Sequence, residues 1–185
     1  VLAPDSATRL TGLELGRPAL GAGLPDGVLN SVTGPGGITG NALAGHPGVD
    51  KIAFTGETTT GVSILQQAAP NITRVSLELG GKSPNIVFAD ADLEKAAVGA
   101  VGSVFANAGQ DCCARSRAFV PRSIAEQFDL LVAAGPRGLK AAGRPDPTTE
   151  MGPLFARKRR DPVLGPIERG VRAGARARPG PRAPP

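Results

Sequence analysis

Short apolar runs and helical patterns alternate through the first 80 residues of the chain. Residues 51–54 and 74–78 each carry the pattern of a strand, and a helical pattern occupies residues 58–69 between them. A strand, a helix and a second strand in succession are typical of a βαβ unit with a parallel sheet. The pattern therefore predicts an α/β fold for this part of the chain.

Further elements are predicted closer to the N-terminus. Leu10, Leu13 and Leu20 indicate a helix, but Pro18 lies inside that pattern. A proline in a helix interior lacks an N–H group and costs about 3 kcal/mol, so we expect this helix to be kinked or broken. A strand is also expected over residues 28–32, and a short helix over residues 40–44.

Gly80 and Gly81 separate this region from a second series of elements. Asp90 precedes the clearest helical pattern of the chain, where an aspartate can act as N-cap. In order, the pattern predicts a buried strand over 85–88, a helix over 91–105, a strand over 117–120 and a capped helix over 123–134. We therefore expect two domains, residues 1–80 and 81–160.

The end of the chain differs in composition. Residues 161–185 contain six prolines and four glycines, and we expect this tail to be poorly ordered. Residues 151–185 hold nine Lys or Arg and two acidic residues, which gives this segment a net charge of +7. Since the whole chain has a net charge of +5, residues 1–150 have a net charge of −2. Since the globular part is mildly acidic and Trp and Tyr are absent from the sequence, no nucleic-acid partner is expected.

Hydrophobic residues make up 41% of the 185 positions, which is enough for a core in one domain or two small ones. The sequence shows no signal peptide and no apolar run that approaches 18 residues. We therefore expect neither secretion nor a membrane, and the cytoplasm is the predicted location. The chain opens in mid-pattern without a methionine, which we interpret as an internal fragment or a truncated product.

The two cysteines, Cys112 and Cys113, are adjacent in sequence, and the single histidine, His46, is far away. Adjacent cysteines cannot staple distant segments, and with one remote histidine they make a poor metal set, so no metal is expected. Nucleophilic or redox use of a thiol is the better interpretation. The simpler alternative is that both cysteines are small buried residues.

A carboxylate and a thiol stand in two distinctive blocks. Glu78 lies in LELGGKSP at residues 77–84, and Cys112 follows 34 residues later in GQDCCARSR at residues 109–117. A thiol can form an acyl intermediate and a nearby carboxylate can activate the water that hydrolyses it, so the pair indicates aldehyde oxidation through a thioester. Three further blocks occur with them: KIAFTG at 51–56, NIVFADADL at 85–93 and EMGPL at 150–154. In these blocks and their order, about residues 1–172 resemble the NAD(P)-dependent aldehyde dehydrogenases.

The resemblance implies a fold and a reaction. The fold would be the aldehyde dehydrogenase fold in incomplete form, with the C-terminal part of a Rossmann-like dinucleotide-binding domain followed by part of an α/β catalytic domain. An aldehyde would be oxidised to a carboxylic acid through a thiohemiacetal and a thioester. Cys112, two residues after Gln110, matches the family's nucleophile, and its loop must stabilise the thiolate through backbone N–H groups and positive charge. Glu78 matches the general base, beside the simpler interpretation of a structural salt bridge at a strand end.

The implied cofactor is NAD or NADP. The turn from Gly56 to Gly61 joins a predicted strand to a predicted helix, whose N-terminus can hold a pyrophosphate. Glu57 stands where the family commonly has serine, and an acid so close to phosphates is unhelpful unless it points away or caps the helix. The residues expected to bind the cofactor are Gly34, Gly56, Glu57, Thr58, Gly61, Leu79 and Gly80.

Departures from the family pattern leave an alternative open. Ala3 and Ser6 stand where the family often has a lysine and a glutamate near the ribose, so the sequence does not distinguish NAD from NADP. The family's oxyanion-stabilising asparagine and its nicotinamide-ribose glutamate fall outside the 185 residues, and the family's homo-oligomer is doubtful for a fragment. The alternative is a catalytically inert fragment that acts at most as a binding or assembly remnant.

Overall fold

A computed structural model of the chain describes residues 1–141, 146–156 and 161–176. The chain divides into two compact units, Val1–Leu79 and Gly80–Pro185. In the first unit the helices and strands are α1 (Arg9–Glu14), α2 (Gly16–Gly21), α3 (Gly36–Ala44), β1 (Lys51–Gly56), α4 (Thr58–Ala68) and β2 (Arg74–Leu79). In the second unit they are β3 (Pro84–Ile86), α5 (Leu93–Phe105), β4 (Arg117–Phe119), α6 (Arg122–Gly138) and α7 (Asp161–Arg172).

The first unit is built around a βαβ arrangement. β1 and β2 pair in parallel along their whole length and end with Gly56 opposite Leu79. Alternate residues of both strands are half-buried, as expected for strands covered on one face. α4 connects the strands and packs on both of them, and Ile64 and Ala68 on its inner face are buried. The predicted βαβ unit with a parallel sheet is confirmed.

The predicted N-terminal helix is broken, as its proline requires. α1 ends at Glu14 and α2 begins at Gly16, so the interruption lies at Leu15. Glu14 is four residues before Pro18, and its carbonyl would be the acceptor of the N–H group that proline lacks.

The predicted strand over residues 28–32 is wrong. Only an isolated bridge forms there, in which the Leu2 N–H donates to the Asn30 carbonyl at 2.7 Å and the Val32 N–H donates to the Leu2 carbonyl at 2.9 Å. Gly27 has a left-handed φ of 81°, and the Asn30 amide donates to its carbonyl at 2.6 Å, so the segment folds back as a turn. A strand needs a partner along its length, and here only one residue provides pairing.

In the second unit α5 packs against α6, and β3 and β4 form a short parallel pair. The core consists of Val87, Ala97, Ala100 and Phe128. The sequence pattern predicts a buried strand over residues 85–88. Of these residues only Val87 is buried, because Ile86 and Phe88 are 61% and 68% exposed and Asn85 is half-buried. None of the described helices is long and apolar enough to cross a membrane.

α5 begins later than the pattern predicted and has a different cap. Its first residue is Leu93, and the Asp92 carboxylate accepts the Lys95 N–H at 3.1 Å. Asp90, the expected N-cap, lies in the preceding turn. Cap position depends on which carboxylate reaches a free N–H group, and this is decided by the backbone angles before the helix.

The tail expected to be poorly ordered contains the helix α7 over Asp161–Arg172. Pro162 stands in the first turn, where its missing N–H group has no intrahelical acceptor in any case. Three apolar residues of α7 recur at helical spacing on one face: Val163, Ile167 and Val171. Of the last dozen residues, those beyond residue 176 lie outside the described residues.

Candidate active site

The cysteine loop begins with an unusual backbone. A short 3-10 turn, Ala106–Gly109, follows α5, and Asn107, Ala108 and Gly109 have left-handed φ angles of 51°, 56° and 75°. Residues other than glycine adopt this conformation rarely and at an energetic cost, so the surroundings must hold it in place.

Gln110 supplies much of that support. Its side-chain amide donates to the Asn107 carbonyl at 3.1 Å, and the Asn107 side-chain amide donates back to the Gln110 carbonyl at 3.0 Å. The Gln110 side-chain oxygen accepts the Phe155 N–H at 3.1 Å, which ties the loop to a segment 45 residues later. Gln110 therefore holds the turn that precedes the cysteines and also ties it to Phe155.

Both cysteines are exposed, which rules out the interpretation of small buried residues. The Cys112 and Cys113 sulfurs lie 3.7 Å apart and share a hydrogen bond. The Cys113 N–H donates to the Asp111 carboxylate at 2.9 Å. The Cys112 carbonyl oxygen lies so close to Gly81 that a Cβ added there would be 3.2 Å from it, so glycine at this position permits the close approach of the two backbones.

The neighbours of Cys112 favour its neutral thiol. The hydrogen bond with Cys113 is the largest cause that raises the pKa of the Cys112 thiol, and repulsion from Cys113, desolvation and the charge of Asp111 act in the same direction. The positive charges nearby in sequence are engaged elsewhere, because Arg115 donates to the Gly99 carbonyl at 3.2 Å and Arg117 to the Lys82 carbonyl at 2.7 Å. Stabilisation of the thiolate by the loop stays a prediction, because in this arrangement Cys113, desolvation and Asp111 all raise the pKa of the Cys112 thiol.

Glu78 lies near the carboxyl end of β2, opposite Thr55 of β1, with its side chain exposed. No ion pair holds Glu78 among the residues that the structure describes, so the salt-bridge interpretation has no support there. An exposed carboxylate without an ion-pair partner can accept a proton from water. Glu78 belongs to the first unit, whereas Cys112 belongs to the second.

The predicted phosphate-binding turn also lies at the carboxyl end of β1. Glu57 is extended, with φ −77° and ψ 143°, and α4 starts at Thr58. The first N–H groups of a helix lack intrahelical partners, and together with the helix dipole they favour an anion. Gly61 faces β2 so closely that an added Cβ would lie 3.0 Å from the Leu79 side chain, and its N–H donates to the Glu57 carbonyl at 3.0 Å.

These residues fit the phosphates of a dinucleotide with one exception. A Cβ at Gly56 would collide with the Phe54 ring, so a larger residue where the strand passes into the turn would force that ring to shift. Glu57 is exposed and its side chain makes no capping hydrogen bond with α4, which leaves a negative charge beside the site. Gly34 precedes α3, and a Cβ there would collide with the Thr39 hydroxyl.

The chain is similar to known proteins over almost its whole length. The model of the aldehyde dehydrogenase family matches residues 1–184. The chain belongs to the aldehyde dehydrogenase family. The family predicted from the sequence blocks is confirmed, and so is the fold class.

Two relatives and one crystal structure show how far the similarity extends. The chain is 47% identical over 176 residues to a mitochondrial aldehyde dehydrogenase of Leishmania tarentolae and 48% identical over 180 residues to retinal dehydrogenase 2 of Mus musculus. Each match covers 95% of this chain but only 35% and 34% of the respective relative. Betaine aldehyde dehydrogenase of Staphylococcus aureus, crystallised with NAD+, matches with a TM-score of 0.93 and 35% identity over 99% of this chain and 36% of that one. The chain thus spans about a third of the length of these proteins.

In this member of the aldehyde dehydrogenase family, the structure brings most of the predicted first-unit residues to one place. The carboxyl edge of the β1–β2 pair carries Gly56, Glu57, Thr58, Gly61, Glu78 and Leu79. Gly34 lies in the same unit before α3, and Gly80 opens the second unit.

The sequence patterns did not reveal one positioning contact of the cysteine loop. The bond between Gln110 and the Phe155 backbone was missed because it joins residues 45 positions apart. The spacing of Asn107 and Gln110, three residues apart around a glycine, is the local signal that indicates a side-chain-bonded turn.

Proposed function

We propose that the chain serves the NAD(P)-dependent oxidation of an aldehyde to a carboxylic acid, with Cys112 as nucleophile and Glu78 as general base. The observation that carries this proposal is the exposed Cys112 thiol on a loop fixed by Gln110, in a chain matched by the family model over residues 1–184. The named relatives act on different aldehydes, so we propose only the class of substrate.

The chemistry divides between the two residues. The Cys112 thiol releases its proton to solvent, and the thiolate sulfur adds to the carbonyl carbon of the aldehyde to form the oxyanion of a thiohemiacetal. A nicotinamide cofactor, when bound, would supply the acceptor for the hydride of this carbon, whose loss leaves a thioester on Cys112. Glu78 takes a proton from the water that attacks the thioester, and the acid leaves while the Cys112 thiol is restored.

We propose that the cofactor's pyrophosphate binds at the N-terminus of α4, between Gly56 and Gly61. Gly34 would border the adenine, and Leu79 and Gly80 would lie along the nicotinamide side. The NAD+ held by the Staphylococcus aureus relative supports a dinucleotide of this kind. Homo-oligomer formation and a cytoplasmic location stay predictions, and one relative is named as mitochondrial.

The cofactor site is tested by charge. Glu57→Ser should tighten NAD+ binding to the 185-residue chain, because it removes a negative charge beside the phosphates. Asp50→Ser is the matched control, since Asp50 is an exposed acid of the same unit at the opposite end of β1. The measurement is a calorimetric or fluorescence titration. Equal effects of the two substitutions would show that the phosphates do not lie at the α4 N-terminus.

The catalytic roles are tested in a family-length background. We would replace the matching segment of the Leishmania tarentolae relative with this chain and follow reduced cofactor by its absorbance. Glu78→Gln should retain a burst of reduced cofactor but slow later turnover, whereas Cys112→Ala should abolish the burst. Cys113→Ala is the control and should retain the burst.

The alternative function is an inert remnant, and the raised pKa of the Cys112 thiol is the observation that favours it. If the exchanged protein shows no burst under any condition while NAD+ still binds, the remnant interpretation holds. Turnover that is indifferent to Glu78→Gln would instead overturn the assignment of the base.

A further inference from the structure

The cysteine loop brings together three groups that bind metal ions, a possibility that the proposed oxidation of aldehydes does not use. A carboxylate oxygen of Asp111 and the sulfurs of Cys112 and Cys113 all lie within 4.8 Å of one another. All three residues are exposed, so an ion can reach them from solvent without any rearrangement of the core.

The separation of the sulfurs matches the geometry of a metal dithiolate. Zinc–sulfur bonds of about 2.3 Å at a tetrahedral angle place the two sulfurs about 3.8 Å apart. The Cys112 and Cys113 sulfurs are 3.7 Å apart. One ion can therefore bond to both sulfurs with almost no change in their positions.

The loop holds the ligands in place before any ion arrives. The Cys113 N–H donates to one carboxylate oxygen of Asp111, which orients that side chain toward the cysteines. Upstream, the reciprocal bonds of Asn107 and Gln110 fix the turn, and downstream Ala114 is 6% exposed and anchors the chain. A site with preorganised ligands loses little conformational entropy when it binds an ion.

From these observations we infer that Asp111, Cys112 and Cys113 form a three-ligand site for a thiophilic divalent cation of the Zn²⁺ class. Two sulfur–metal bonds form as the two thiols release their protons to solvent, and no oxidation or reduction takes place. Thiolate ligands select zinc-like ions over Mg²⁺ and Ca²⁺, which prefer oxygen. Three protein ligands leave a fourth tetrahedral position for water.

Adjacent cysteines looked like a poor metal set in the sequence because the remaining candidate ligand, His46, was remote. The structure supplies the third ligand from Asp111, the residue immediately before them. The inference concerns binding alone and rests on no step of the proposed aldehyde oxidation, although an ion bound to the Cys112 sulfur would block its addition to an aldehyde.

The test uses Co²⁺ as a spectroscopic probe for the zinc site of the reduced 185-residue chain. We expect an intense thiolate-to-cobalt absorption that saturates at one ion per chain, is displaced by Zn²⁺ and persists in excess Mg²⁺. Saturation at one ion per two chains would overturn the inference, because the ion would then bridge copies. Absence of the thiolate band would also overturn it.

Variants assign the ligands. Cys113→Ser should weaken the band, and the double variant Cys112→Ser with Cys113→Ser should lose it. Asp111→Asn should need more Co²⁺ for saturation, although its amide oxygen can still accept the Cys113 N–H and preserve the loop. Asp90→Asn is the matched control, because Asp90 is an exposed acid of the same unit in another turn.

Far-ultraviolet circular dichroism checks that each variant is folded, and the titration of the unsubstituted chain decides the outcome even if a variant fails to fold. If Asp111→Asn and Asp90→Asn require the same Co²⁺ concentration, the carboxylate is not a ligand and the three-ligand site is overturned.

Discussion

The chemistry of the loop depends on how two thiols and one carboxylate influence each other. Cys112 shares a hydrogen bond with Cys113 across 3.7 Å and lies beside the charge of Asp111, and these neighbours raise the pKa of the Cys112 thiol. The thiolate is the nucleophile, so an elevated pKa lowers the reactive fraction at neutral pH. The same proximity that disfavours the thiolate is what allows both sulfurs to bind one cation.

Alkylation of Cys112 should therefore require a more alkaline solution than alkylation of free cysteine. Cys113→Ala should shift the pH profile of Cys112 alkylation to lower pH, because Cys113 is the largest cause of the raised pKa. Asp111→Asn should shift it in the same direction by less. Rates of iodoacetamide labelling, measured by mass spectrometry from neutral to alkaline pH, test this. Profiles of both variants that coincide with the original would show that these neighbours do not control the thiol.

Within the second unit, the start of α5 shows how a single cap defines an element. The Asp92 carboxylate accepts the Lys95 N–H at 3.1 Å and also pairs with the Lys95 ammonium at 2.9 Å. These contacts lower the pKa of the Asp92 carboxyl below its usual value, and the contact with the Lys95 side chain contributes most. α5 in turn contributes Ala97 and Ala100 to the core, so the cap supports the packing of the whole unit.

Asp92→Ala should lower the melting temperature of the chain by a few degrees at neutral pH, as loss of an N-cap does. Because the pKa of Asp92 is lowered by folding, its stabilisation is present above the ordinary carboxyl pKa and is lost as the pH falls through the folded value. The melting difference should therefore disappear in acid. Asp90→Ala is the control and should change little, and an equal loss at both positions would contradict the assignment of Asp92 as the cap.

Across the whole molecule, much apolar surface remains open. Most buried apolar residues among those described are alanines, whereas Leu10, Ile38, Ile72 and Val98 are each at least 70% exposed. In the second unit, an open apolar hollow of about 300 Å³ lies at the carboxyl ends of β3 and β4 and includes Phe119 in its lining. Exposed apolar patches of this kind bind apolar dyes and promote association.

The isolated chain should consequently enhance the fluorescence of anilinonaphthalene sulfonate and grow in size with concentration in light scattering. Phe119→Ser should reduce the dye signal, because it removes an aromatic wall of the hollow. Ile38→Ser should reduce it less, since Ile38 lies on α3 of the other unit. A chain that stays monomeric and does not enhance the fluorescence of the dye would show that this surface is covered in solution.

The sequence alone determined the features that depend on neighbouring residues. The order of β1, α4 and β2 follows from local periodicity, the break before Pro18 follows from its missing N–H group, and the family follows from contiguous residue blocks such as that around Cys112. Each of these rests on chemistry contained within a few positions of the chain.

Only the tertiary structure decided the features that depend on distant partners. The segment of residues 28–32 is no strand because it finds only Leu2 to pair with, although its composition favours one. The cysteine loop is held partly by a bond from Phe155 to Gln110, 45 residues apart. The protonation of Cys112 depends on where the loop places the neighbouring sulfur and carboxylate, because electrostatic and hydrogen-bond energies follow distance in space rather than separation in sequence.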